Sequence, residues 1–265
     1  MPADQNTAET TAETTAATVE VGPQFRIGAV IGRGFSILFR NIVPFGLLAL
    51  IVYSPYIVLI ALGLDSSTGF EEDSGLFIAI ALAAGFGYML LYFLLNAAVV
   101  YGTVQDLRGG KATLGACLGR GLSTIFPVIG AGVLVWLVTA LGAIVFVIPG
   151  IIAMVMLWVA IPVALTERKG PVESLSRSSE LTKGNRWGIF GIIFLVGILN
   201  AVVGTVIQLG LGAASGEASM AAVVLSTLSE IFFALLFAVI SAVAYHDLRA
   251  AKEGTDIEQI AAVFD

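Results

Sequence analysis

The sequence predicts an all-α integral membrane protein with six transmembrane helices, arranged as three hairpins, each preceded by a cytoplasmic interfacial helix. Three observations carry this. First, 58% of the 265 residues are hydrophobic and 12% are charged, against about 25% charged in a soluble domain, and the mean hydropathy is +0.97. Too little polar surface remains to wrap a water-soluble globule. Second, the apolar residues come in blocks of about 20, the length that crosses a bilayer as helix. Third, the 13 Lys and Arg residues collect in four places that six crossings put on one side. Lipid offers no partner for open backbone groups, so the spans must be helical or form a closed barrel. The roughly ten-residue alternating strands of a barrel are not found.

The N-terminal stretch, residues 1–22, is rich in Thr, Ala and Glu. It has neither a basic nor an apolar region of the kind a signal peptide needs, and too little hydrophobic mass to fold, so it is read as a disordered cytoplasmic tail. The membrane domain is expected over 23–250 and a C-terminal tail over 251–265. Six apolar segments mark the spans: Ile42 to Leu64, Leu76 to Val104, Phe126 to Ile148, Gly150 to Leu165, Trp187 to Leu209 and Ala221 to Tyr245. The fourth is short, since about 16 residues at 1.5 Å each reach some 24 Å, and Pro162 sits near its inner end.

Charge decides that the fourth segment crosses. Arg26, Arg33 and Arg40 precede the first span, and Arg108, Lys111 and Arg120 separate the second and third. Arg168, Lys169, Arg177, Lys183 and Arg186 separate the fourth and fifth, and Arg249 and Lys252 follow the sixth. The other three connections hold no Lys or Arg, and one of them carries Asp65, Glu71, Glu72 and Asp73. Positive charge marks the cytoplasmic side, and every basic residue falls there only if all six segments span. Both chain ends are then cytoplasmic.

An internal repeat divides the chain in three. Gly32-Arg33-Gly34-Phe35-Ser36 precedes the first span, Gly119-Arg120-Gly121-Leu122-Ser123 the third, and, more weakly, Ser176-Arg177-Ser178 the fifth. The even-numbered spans exit into Asp106-Leu107-Arg108, Glu167-Arg168-Lys169 and Asp247-Leu248-Arg249. Each unit therefore reads as an interfacial helix and a hairpin, with Pro149-Gly150 as the outer turn of the middle one. A rival inverted repeat of three spans plus three rests only on Asn96-Ala97-Ala98-Val99-Val100 beside Asn200-Ala201-Val202-Val203.

In the first interfacial segment, Arg26, Arg33 and Arg40 are seven apart and share a helix face, with Phe25, Phe35, Leu38 and Phe39 as apolar contact. These arginines, with Arg120 and Arg177, are the candidate contacts to anionic lipid headgroups, although the same pattern also serves simple anchoring. In the third segment Gly170-Pro171 starts a helix and Gly184 is placed to end it.

Glu230 is the one ionisable residue well inside a span, and such a group is a functional hypothesis by default. Its helical face holds Ala234, Ala238, Ser241 and Ala242, with Phe232, Phe233, Leu236, Val239 and Ile240 opposite. Small residues mark helix contact, so Glu230 is expected to face the bundle interior, with Gln208 as partner. Asn96 and Asn200 lie near the midplane, where an amide joins helices or lines a polar cavity. His246 reads as an interface residue or a pH sensor, and Cys117 as a small apolar one. A single Cys and a single His leave no internal disulfide, no cysteine-based metal site and no site that needs two histidines. The acids Glu71, Glu72 and Asp73 read as a solvated face rather than a weak divalent-cation site, and no phosphate-binding glycine loop is found. No cofactor, no nucleic-acid partner and no enzymatic activity is expected.

Ile148-Pro149-Gly150, Trp158, Ala160, Pro162, Glu167 and Gly170, followed by Ser174-Leu175-Ser176-Arg177-Ser178 and Leu181-Thr182-Lys183-Gly184-Asn185-Arg186-Trp187, resemble the membrane domain found in front of some bacterial glycerophosphoryl diester phosphodiesterases. The resemblance spans about Phe25 to Lys252 and is strongest from Ile148 to Trp187. It implies a bacterial cytoplasmic-membrane protein. It does not carry the activity over, because catalysis in those enzymes belongs to a separate soluble barrel with metal and histidines. Two functional classes follow: a scaffold or accessory protein acting on lipid or a membrane-protein partner, and a transporter or channel using Asn96, Asn200, Gln208 and Glu230.

Overall fold

A computed structural model describes residues 25–61, 75–215 and 220–261. The N-terminal tail and the acidic residues Asp65, Glu71, Glu72 and Asp73 lie outside the described residues. Those described form helices and short connections, with no strand among them. In chain order the helices are α1 (Ile27–Arg40), α2 (Ile42–Ala61), α3 (Gly75–Leu107), α4 (Leu114–Ser123), α5 (Ile125–Val145), α6 (Val147–Leu157), α7 (Ala160–Glu167), α8 (Pro171–Thr182), α9 (Arg186–Ser215) and α10 (Met220–Ala261). Among the described residues, five stretches are long and apolar enough to cross a membrane alone: Leu82–Leu107, Ile125–Val145, Val147–Glu167, Arg186–Gly210 and Val224–Gly254. Counting the bent pair of α1 and α2 as one span brings the number to six. The protein is thus an all-α, multi-pass membrane protein.

The three short helices α1, α4 and α8 each precede a hairpin, as the repeat predicts. What stops each of them is local chemistry. Asn41 and Thr124 end α1 and α4 by donating their side chains back to the carbonyls of Ile37 and Arg120 (3.0 and 2.8 Å). Three residues on stand Pro44 and Pro127. Neither has an N–H to give the carbonyl four residues back, and the ring crowds that carbonyl. The chain bends instead, by 76° between α1 and α2. After α8 the bend falls at Gly184, whose φ of 95° suits a residue with no side chain.

The middle hairpin differs from the sequence reading. Its turn is not Pro149-Gly150 but the single residue Phe146, in extended backbone (φ −161°, ψ 147°) between α5 and α6. Pro149 falls in the first turn of α6, where its missing N–H costs nothing. The fourth span therefore starts at Val147 and has 21 residues, about 31 Å of helix, which removes the shortfall. Such a tight turn needs the helices to touch by backbone: a Cβ on Gly150 would lie 2.9 Å from Ala143 Cα.

The second spans of the three hairpins, α3, α6–α7 and α10, pack against one another in the centre, with α2, α5 and α9 outside them. Burial follows this division. Within an 18-residue apolar stretch of each span, 39%, 50% and 61% of residues are buried in the three central spans, but 17% and 22% in α5 and α9. This overturns the expectation that α10 turns a small face inward and a bulky face to lipid. Leu236, Val239 and Ile240 are as fully buried as Ala238 and Ala242, because α10 is surrounded by α1, α3, α7, α8 and α9.

The three units join head to tail in a ring. Each short helix packs on the second span of the preceding unit: α4 on α3, α8 on α6 and α7, and α1, closing the circle, on α10. The repeated small residue after each arginine makes the approach possible. A Cβ on Gly34 would meet Ile240 Cγ1 at 2.7 Å, and one on Gly121 would meet Ala98 Cβ at 3.3 Å. At the third position Ser178 is buried and donates to the carbonyl of Met156 (2.9 Å).

Candidate functional site

The arginines of the short helices and the acids of the span exits meet at one end of the bundle. Arg33 pairs with Asp247, Arg40 with Asp106 and Arg177 with Glu167. Each pair brings the start of a hairpin beside the end of one, so all three hairpins return to the same end. The carboxylates are largely covered, with side chains 8% (Asp106), 12% (Asp247) and 11% (Glu167) exposed. A covered carboxylate is costly without partners, and each has several. Asn41 donates to Asp106 (3.1 Å) beside Arg40 Nε (3.1 Å). The hydrogen bond and charge of Asp106 raise the pKa of Arg40 above its already high value. Glu167 accepts from Tyr245 Oη (3.0 Å) and pairs with Lys169 (3.0 Å). Arg177 also reaches Glu253 (2.9 Å), which Arg249 holds as well (2.8 Å).

Three of the five arginines read as headgroup contacts thus also carry ion pairs within the protein. Arg33, Arg40 and Arg177 spend their charge on clipping short helices to span exits. Arg26 is exposed at the start of α1. Arg120 has no acidic partner among the described residues and lines a cavity of about 280 Å³ with Arg108 and Arg168. Arg168, at the end of α7, is the only non-glycine residue with positive φ among those described (φ 53°, ψ 34°), a conformation that costs an ordinary side chain about 1 kcal/mol.

The four polar residues of the spans do not converge. Asn96 is buried on α3, where its amide interacts with Tyr92 one turn away on the same helix. Asn200 and Gln208 are both exposed on α9, an outer helix. Glu230 is exposed too, at a gap of only about 20 Å³ that Tyr53, Tyr88 and Thr227 also line. The expected Glu230–Gln208 bond is absent among the described residues. Glu230 misses the interior because the packing around α10 thins toward this end; the unbroken run of buried residues begins only at Ala238 and ends at Tyr245.

His246 is half-exposed, 3.6 Å from Asp247. Cys117 is buried on α4, and burial pushes its thiol pKa up. The contribution of Tyr101, Gln105, Thr166 and Arg168 to the cavity at Arg120 was not singled out from sequence. The available signal was the second exit word, Glu167-Arg168-Lys169, which places an arginine where the other two have Leu107 and Leu248.

No family model matches the chain, and no curated protein or solved structure matches it, so the resemblance in Ile148 to Trp187 rests on those residues alone.

Proposed function

We propose that this protein is a non-enzymatic scaffold or accessory protein that holds a membrane-protein partner against its lateral surface, with its basic end at the cytoplasmic face of a bacterial inner membrane. The carrying observation is the placement of Asn200 and Gln208 on the exposed side of an outer span. Amides facing hydrocarbon gain about 0.6 kcal/mol, on average, from a partner across a helix interface, so they favour a neighbouring helix over lipid. The basic residues favour the cytoplasmic orientation, and the resemblance to the phosphodiesterase membrane domain is compatible with an accessory role.

A transport path has less support. It would need polar groups lining a common route, and Asn96 is packed among Leu95, Ala97 and Ala98 in the centre while the other three face outward. The test is in-cell photocrosslinking, with a benzophenone side chain placed at position 200 or 208. Crosslinks to a discrete protein band, absent when the probe is moved to buried position 98, are expected. Crosslinks to lipid alone from both positions would defeat the proposal.

A further inference from the structure

The ring of units has three equivalent arginines and three equivalent exit acids, and the pairing rule between them is cyclic. Arg33 of the first unit takes Asp247 of the third. Arg177 of the third takes Glu167 of the second. By the same rule Arg120 of the second should take Asp106 of the first. Instead Asp106 accepts from Arg40 at both oxygens and from Asn41 at one of them. Nothing acidic replaces it: the cavity at Arg120 is lined by Arg108 and Arg168, with Tyr101, Gln105 and Thr166 as neutral polar groups. Three arginines thus share the lining of one cavity, with no carboxylate among its lining residues.

We infer that this cavity is an oxyanion site for a phosphate group, taking the place of the missing third carboxylate. The chemistry fits tetrahedral phosphate: guanidinium forks bind its oxygens with charge-assisted bonds. Gln105 already gives its amide to Tyr101 Oη (2.7 Å), which fixes the orientation of both at the cavity wall. Arg168 reaches the cavity from a left-handed backbone position that glycine would fill more easily. Strain of this kind persists where function requires the side chain. The phosphate is either free in solution or the headgroup of an anionic lipid, since the site lies at the same end as the span exits. It is separate from the lateral surface at Asn200 and Gln208, and stands or falls independently of it.

The test uses full-length protein, delipidated in a maltoside detergent. Inorganic phosphate is titrated calorimetrically, and retention of phosphatidylglycerol is measured by native mass spectrometry. Both are repeated on Arg120→Gln and Arg168→Gly. Losing one charge-assisted contact should weaken binding about tenfold. The glycine variant should melt no lower than wild type, because glycine suits that backbone, so its loss of binding cannot be a loss of fold. Weakened phosphate binding in both variants identifies a free-phosphate site; weakened lipid retention in both identifies a headgroup site. Binding of neither ligand by wild type, or binding unchanged in either variant, overturns the inference.

Discussion

Single residues decide how closely the helices approach. Gly150 faces Ala143 across the Phe146 turn at backbone distance, with no side chain free to move aside. Gly150→Ala should force α5 and α6 apart and cost about 1–3 kcal/mol, read as a lower melting temperature in detergent. An alanine at Gly170, where a Cβ meets nothing within 4 Å, is the control and should melt within a degree or two of wild type. The residue scale is also where sequence reading is least secure. Pro149-Gly150 looks like a turn by composition, yet proline is tolerated in the first turn of a helix and glycine serves a contact made by Ala143, distant in no obvious way along the chain. Likewise the depth of Glu230 follows from counting along α10, but its exposure depends on which helices stop short of it.

The short helices are held by charge as well as by apolar packing, and α8 shows this best. Arg177 joins it to Glu167 at the end of α7 and to Glu253 on α10. Removing Arg177 leaves Glu167 covered with fewer partners, at a cost of about 1–3 kcal/mol. In a double-mutant cycle, Arg177→Ala should be the more harmful single change, and adding Glu167→Gln should recover part of the loss. Strictly additive effects of the two substitutions would mean that the pair does not hold the helix. The existence of α1, α4 and α8 was legible in the Arg-centred words before each hairpin, and the end of α8 in Gly184. Their partners were not, because an arginine on an amphipathic helix looks the same whether it meets a phosphate or an aspartate from a distant exit.

At the scale of the whole molecule, the number of spans and their common basic end follow from the length of apolar blocks and the position of 13 cations. The arrangement of those spans does not. Hydropathy is as high in α5 and α9 as in the central α6–α7 span, because lipid and a helical neighbour are both apolar, so inner and outer spans read alike. A central triangle of tightly packed spans predicts a closed bundle. In a Cys117→Ser background, Asn96→Cys should resist a membrane-impermeant thiol reagent from either side, in intact cells and in inverted vesicles. Labelling at position 96 would reveal a water-filled route to the midplane and favour transport over the scaffold proposal.

The head-to-tail ring also constrains the order of assembly. Helix α1 is synthesised before the other described helices, yet its chief packing partner is α10, and its Arg33 is matched by Asp247, more than two hundred residues later. During synthesis the leading helix must wait, unpaired, while five spans insert. Only when the sixth is in place can the circle close, so a translation product that stops after α9 keeps both an unclaimed amphipathic helix and an open seam beside α3.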